Sequence, residues 1–257
     1  MNKVAVVIPA RYASTRFPGK LLAKLNGREL LWWDINGALK LKFSGDVWIT
    51  TEDEEIINFV KDFPGIKIAR IPGNFGTERV YKFYIEGYNY DYYMSWPADE
   101  PFINPDEINR VWPEAKKLLD EDADVVTLWT KFYNEEDLRS NLSCKLAVGR
   151  KCRVLYFSRN IIPATKNGEL LPLDKYRKHV GVFFFKRDTF RKYGPSFWWG
   201  WQSETQTIEG LEQNRFIDGG MNVCAVGIKH IGFGIDKPEQ IKQLEERLKN
   251  DNIQRSG

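Results

Sequence analysis

The sequence predicts an α/β protein built on a three-layer, mostly parallel sheet, with a smaller antiparallel lobe. Three observations carry that expectation. Val4–Ile8 is an unbroken apolar, largely β-branched run, as in a strand covered on both faces. From there to about Thr130, strand-like and helix-like segments alternate, and right-handed crossovers turn such a rhythm into a parallel sheet. Beyond Thr130 the rhythm changes to a hairpin pattern.

In order, the first strand gives way to a loop and then to a helix over Glu29–Leu41, with Leu30, Leu31, Ile35, Ala38 and Leu39 as its apolar positions. Asp46–Thr50 reads as the second strand, followed by a helix that Asp53 can cap. Ile66–Arg70 is a third strand, and Thr77 is positioned to cap the next helix. Tyr92–Trp96 is a fourth strand, running into Pro97-Ala98-Asp99-Glu100-Pro101. Pro105-Asp106-Glu107 is a good helix start, and Asp124–Thr130 is the fifth strand. Cys144–Val148 and Val154–Phe157 form the predicted hairpin, and Lys178–Phe185 a strongly apolar strand. A helix over Glu204–Asn214, a strand at Val223–Val226 and an amphipathic helix over Pro238–Lys249, with Ile241, Leu244 and Leu248 on one face, complete the chain. The expected division is a core over 1–131, a lobe over 132–220 and a return to the core over 221–257.

With 257 residues the chain can bury one substantial core, or one core plus a smaller lobe. Its 38 basic and 35 acidic residues leave a net charge of only +3, so the total does not call for nucleic acid. Cys144, Cys152 and Cys224 form no CxxC and share no metal-like spacing with His179 or His230, which suggests reduced thiols in a cytosolic protein. The apolar run before Pro9 is too short for a secretion signal, and no stretch approaches the ~20 apolar residues of a spanning helix. The expectation is a soluble, cytoplasmic protein without membrane insertion.

Chemistry concentrates after the first strand, in Ile8-Pro9-Ala10-Arg11-Tyr12-Ala13-Ser14-Thr15-Arg16-Phe17-Pro18-Gly19-Lys20. Arg11, Arg16 and Lys20 stand there without a carboxylate among them. Three cations at the carboxyl end of a first strand suit a polyphosphate, because open α/β sheets bind ligands at that edge. Neither GxGxxG nor a complete GxxxxGK[ST] is present, so side-chain charge must do much of the neutralisation. Gly76-Thr77-Glu78-Arg79 reads in two ways: a simply capped helix start, or a helix N-terminus that faces an anion together with Arg79.

The first loop resembles, almost residue for residue, the signature loop of the CMP-Kdo synthetases, the 3-deoxy-manno-octulosonate cytidylyltransferases. The resemblance extends through Gly76-Thr77-Glu78-Arg79 (family GTER), Asp99-Glu100-Pro101 (GDEP), Tyr156-Phe157-Ser158-Arg159 (YFSR), the His179 strand, Leu211-Glu212-Gln213-Asn214-Arg215 (LEQLR) and Asp236-Lys237-Pro238 (D-x-P). It implies a nucleotidyltransferase or GT-A-like nucleotide-binding sheet that transfers CMP from CTP to a sugar acid in lipopolysaccharide synthesis, and a homodimer built through the second lobe. By the same resemblance Ala10, Arg11, Arg16, Lys20, Gly76, Thr77 and Asp99 would contact CTP, with Arg11, Lys20 and Asp99 catalytic. Asp99 and Asp236 would hold Mg²⁺, an ion that takes one or two hard oxygen ligands from protein. Arg79 and Arg159, with His179, Glu212 and Gln213, would hold the sugar acid, a guanidinium suiting its carboxylate and the others its hydroxyls.

Departures gather on the acceptor side. Pro97-Ala98 stands where the family has Gln-Gly, Phe75 where a serine is usual, and Phe183 and Phe185 where tyrosines are usual. Phe197-Trp198-Trp199-Gly200-Trp201 forms an aromatic segment read either as a contact surface or as packing within the lobe. These changes leave open another acceptor, such as an 8-amino-Kdo or a nonulosonate, or a catalytically silent nucleotide-binding relative.

Overall fold

The computed structural model describes residues 3–14, 17–73, 75–230 and 234–250, apart from the side chains of 199, 200 and 247–250. Its strands are β1 (Val4–Pro9), β2 (Lys24–Leu25), β3 (Arg28–Glu29), β4 (Asp46–Thr51), β5 (Ile66–Arg70), β6 (Tyr92–Ser95), β7 (Val125–Lys131), β8 (Lys145–Val148), β9 (Val154–Ser158), β10 (Arg177–Lys186) and β11 (Val223–Gly227). Its helices are α1 (Leu30–Leu39), α2 (Glu54–Val60), α3 (Gly76–Ile85), α4 (Pro105–Glu121), α5 (Glu135–Arg139), α6 (Arg187–Pro195), α7 (Glu204–Glu209), α8 (Asn214–Asp218) and α9 (Glu239–Asn250). The main sheet runs β11-β7-β10-β6-β1-β4-β5, with the β8–β9 hairpin attached to β10 and a separate β2–β3 ribbon.

Alternation along β1 builds the three layers. Val4, Val6 and Ile8 join Leu31 and Ile35 of α1 and Ile108 and Val111 of α4 on one face. Ala5 and Val7 join Val80 and Phe83 of α3 and Phe190 of α6 on the other. The first five residues of β1, Val4–Ile8, are all buried, which is why the run needs no polar face.

The expected boundary at residue 131/132 does not separate two bodies. β10 lies between β6 and β7 in the main sheet and is antiparallel to both. Arg177 pairs with Lys131, so the chain re-enters the sheet at the edge where β7 left it. Between them the only α-helix is the five-residue α5, and no long crossover returns the chain to the opposite edge. What remains as an antiparallel lobe is the β8–β9 hairpin and its surroundings.

Two local expectations change. The helix predicted over Glu204–Asn214 is two helices, because Gly210 takes φ +61° and ends α7 as its left-handed cap. Phe75, not Thr77, is the N-cap of α3, and its amide donates to Glu78 Oε2 at 3.4 Å.

Trp198 is 1% exposed and stacks on Tyr81 with centroids 5.2 Å apart. Phe183 and Phe185 lie in the same cluster with Phe190 and Phe216. Their ring edges therefore pack against other rings, and the lost tyrosine hydroxyls belong to the interior. Trp198 is core, which removes it from any contact surface; the side chain of Trp199 lies outside the described residues.

Candidate active site

The loop after β1 is held from both ends. Ala10 N donates to Thr50 O at 3.0 Å and extends the parallel ladder by one residue. Tyr12 N donates to Asp53 Oδ2 at 2.7 Å, so the residue expected to cap α2 gives its carboxylate to this loop instead. Gly19 sits at φ +69°, where a Cβ would also approach Tyr12 Oη to 3.2 Å, and Gly19 N closes the loop on Tyr12 O at 3.1 Å. Arg11 is exposed on this loop; Arg16 lies outside the described residues.

Lys20 then projects across the sheet edge. Its ammonium pairs with Asp99, donates to Ile235 O at 3.0 Å and stands 3.8 Å from Asp236 Oδ1. Ile235 N donates to Asp99 O at 2.8 Å, which fixes the segment before α9 against the one after β6. Both carboxylates keep solvent access, at 35% and 24% of their side-chain surface. Among the described residues no group of three or more His, Cys, Asp or Glu gathers as a metal cage. Two accessible carboxylates are the donor set of an ion that shares its ligands with phosphate, which Mg²⁺ fits.

The acceptor-side predictions fare unevenly. Arg79 is 5% exposed; its Nη1 donates to the carbonyls of Ala10 (3.2 Å), Thr50 (3.1 Å) and Ile71 (3.1 Å), and its Nε to Gly73 O (3.1 Å). Through Nη1 and Nε it clamps the ends of three neighbouring strands. Arg159 is similarly spent: Nε donates to Glu209 O (3.2 Å), Nη1 to Leu142 O (2.9 Å) and Nη2 to Gly210 O (3.1 Å). A guanidinium so used ties the hairpin to the α7–α8 turn, contrary to the expected carboxylate-binding role. Thr77 is fully buried, and its hydroxyl is taken up by side chains: it accepts from Arg215 Nη2 (2.9 Å) and donates to Glu212 Oε2 (3.2 Å).

Three expected acceptor groups do come together. His179 N donates to Cys144 O at 2.8 Å, and Gln213 Nε2 reaches Cys144 Sγ at 3.4 Å, with Glu212 next in sequence to Gln213. Gly76 faces Glu212, whose Oε1 lies 3.7 Å from where a Cβ on Gly76 would stand. Burial pushes the Glu212 carboxyl above its ordinary range, partly offset by Arg215 and Thr77. Burial pushes the His179 imidazole down to about 4, so it is neutral at pH 7. Thr127 Oγ1 donates to Val182 O at 2.7 Å and lies 2.8 Å from His179 Nε2. The hydroxyl has one hydrogen to give, so Nε2 carries the imidazole proton and Nδ1 is left as an acceptor.

Sequence reasoning missed two supports. Glu100, beside Asp99, accepts from Gly181 N (3.3 Å) and meets His230 Nε2 at 3.0 Å, both residues being buried. Adjacency to Asp99 and the rarity of histidine in this chain were the available signals. Arg215, 2% exposed, lies 5.4–5.9 Å from the ring centres of Phe75, Phe197, Trp198 and Phe216. Phe75, a departure from the family pattern, is thus one wall of an aromatic cage around a cation.

A lysine and two carboxylates at the strand ends of this sheet are the charges of a site of the nucleotidyltransferase class. A cytidylyltransferase family model matches residues 5–223. The 3-deoxy-manno-octulosonate cytidylyltransferase of Parabacteroides distasonis is 32% identical over 97% of this chain and all of its own length. That of Bacteroides thetaiotaomicron is 34% identical over 95% of this chain and 97% of its own. A solved structure of CMP:2-keto-3-deoxy-manno-octonic acid synthetase complexed with CTP superposes with a TM-score of 0.82 at 28% identity, covering 97% of this chain and 99% of that one. A 4-diphosphocytidyl-2C-methyl-D-erythritol synthase from Anaerococcus prevotii, 13% identical with a TM-score of 0.58, shares the fold. The chain belongs to the cytidylyltransferase family, as a member of its 3-deoxy-manno-octulosonate cytidylyltransferases.

Proposed function

We propose that this enzyme transfers CMP from CTP to the anomeric hydroxyl of a 3-deoxy-octulosonate, releasing pyrophosphate. The observation that carries the reading is the meeting of Lys20, Asp99 and Asp236 at the strand ends. The sugar hydroxyl oxygen bonds to the α-phosphorus while the bond to the bridging oxygen of pyrophosphate breaks, and the hydroxyl proton passes to solvent. No covalent enzyme intermediate is needed.

Lys20, held by Asp99 and Ile235 O, brings a fixed positive charge to the triphosphate; Arg11 on the same loop adds a second, and Arg16 is assigned with them. A preorganised charge of this kind costs little reorganisation as the pyrophosphate charge develops. Asp99 and Asp236 are the residues that would hold Mg²⁺. When bound, that ion would screen the triphosphate and stabilise the leaving pyrophosphate. Neutral His179, through Nδ1, accepts a hydrogen bond from a sugar hydroxyl. Glu212 and Gln213 orient further hydroxyls, and Arg159 and Arg79 hold the backbone that frames them.

The assay is pyrophosphate release with CTP, Mg²⁺ and a panel of Kdo, 8-amino-Kdo and a nonulosonate. Turnover with Kdo supports the assignment, and turnover with none of the three removes it. Another acid in that panel is the second reading, because Pro97 replaces a side-chain amide and lies 3.7 Å from a Cβ position on Gly181, two residues from His179.

The reading includes a cytoplasmic homodimer. Exposed Tyr133, Leu171, Trp201 and Ile208, all from 132–220, are its support. Trp201→Ser with Ile208→Ser should shift sedimentation towards monomer; an unchanged dimer would place the interface elsewhere. Among the described residues no helix is long and apolar enough to cross a membrane.

A further inference from the structure

A cavity of about 580 Å³ opens far from Lys20, lined by Asp122 and Asp124 before β7, Asn222 and Cys224 at β11, Lys192 of α6 and the 149–155 turn of the hairpin. β7 and β11 run parallel from this end, with Val223 opposite Val125, and the catalytic group sits beyond their other end. Across the length of β7 the separation is on the order of 20 Å. The two places are therefore distinct.

The charge at this cavity is lopsided. Arg150, Lys151 and Arg153 all line it, all are exposed, and their side chains make no ion pair or hydrogen bond among the described residues. The acidic groups nearby are largely engaged. Asp124 is 5% exposed and takes Lys192 Nζ (2.9 Å), Tyr193 Oη (2.9 Å) and Asn222 N (2.9 Å). Asp122 accepts from Asn222 Nδ2 at 2.9 Å.

The turn carrying the three cations has an unusual backbone. Lys151 (φ +53°) and Cys152 (φ +62°) are successive non-glycine residues in the left-handed region, each costing about 1 kcal/mol or more. Glycine at those two positions would carry no such cost. Arg153 is pinned beside the cavity floor by its antiparallel bridge to Cys224. Two guanidinia and an ammonium, carried with no partner among the described residues on one turn beside a cavity of small-ligand size, are the donors that phosphate oxygens take.

We propose that this cavity is a second anion site, which takes a phosphorylated small molecule through Arg150, Lys151 and Arg153, apart from the catalytic centre. Binding there bridges the hairpin turn to the starts of β7 and β11, and so bears on the strands whose far ends carry the active site.

Hydrogen–deuterium exchange of the full chain in EDTA, with and without inorganic pyrophosphate, reads the two ends separately. Exchange should slow across 149–155 and 220–224. In Arg150→Ser/Lys151→Ser/Arg153→Ser the dissociation constant for that protection should rise at least about tenfold, while any protection around Lys20 and Asp99 stays as in the wild type. Lys151→Glu alone gives the same readout if the triple variant does not fold. Protection confined to the Lys20 end, or none at either end, overturns the proposal. Protection of 149–155 by phosphatidylserine vesicles but not by pyrophosphate also overturns it, and assigns the turn to an acidic surface.

Discussion

The end of the site proposed for the nucleotide and the end proposed for the acceptor use charge in opposite ways. At the nucleotide end Lys20, Asp99 and Asp236 meet one another and remain partly open to solvent. At the acceptor end Arg79 and Arg159 are consumed by backbone carbonyls. Arg215 donates to Thr77, which in turn donates to Glu212. A cation in a motif can thus serve ligand or scaffold. The difference lies in how many acceptors the fold has already placed around it.

The largest test of that contrast is Asp99→Asn. It keeps the shape and loses the charge, so kcat should fall by about 10²–10³, as for other preorganised electrostatic groups, with an unchanged circular dichroism spectrum. Near-normal turnover would mean that the open charges of the nucleotide end do no chemistry. Trp198→Ala should cost ~3–5 kcal/mol in denaturant unfolding, whereas Trp201→Ser should stay within ~0.5 kcal/mol. Equal small effects would return Trp198 to the surface.

Arg79→Met should destabilise by roughly 3 kcal/mol, because four backbone acceptors lose their donor in a buried place. Should the variant instead unfold normally and raise only the KM for the sugar acid, Arg79 faces substrate and the two ends are alike. The pH dependence of stability sharpens the comparison further. Folded His179 stays neutral down to about 4, against an ordinary value of 6.5, so the unfolded chain binds the extra proton between those values. Stability is therefore full above about pH 6.5 and is lost as pH falls towards 4. His179→Gln, which can still donate to Thr127, should flatten that part of a Tm–pH curve.

Glu212→Gln should give the smallest stability change. Its carboxyl is raised by burial, so the charged form is penalised in the fold at pH 7; the stabilisation of the protonated form is present below 4.5 and is lost as pH rises through the raised value. Neutral Gln should leave Tm at pH 7 the same or higher, while KM for the sugar acid rises. A marked fall in Tm would show that Arg215 depends on the full charge of Glu212.

What the sequence determined by itself was the order of the parts. The buried run Val4–Ile8 and the cationic loop ending at Gly19-Lys20 were legible from local chemistry, burial on two faces and three cations without a carboxylate, whereas the Asp99 and Asp236 turns were picked out by the family resemblance. The tertiary structure decided which of them meet. Only the folded sheet brings Asp236 to Asp99 and Lys20, through the Ile235–Asp99 backbone bond. Only the return of the chain at Arg177 beside Lys131 makes β10 an antiparallel member of the core, and only packing turns Trp198 inward. The roles of Arg79 and Arg159 were decided there too. A side chain's identity fixes what it can donate, but the carbonyls that receive those donors come from distant strand ends and turns that the linear sequence does not bring together.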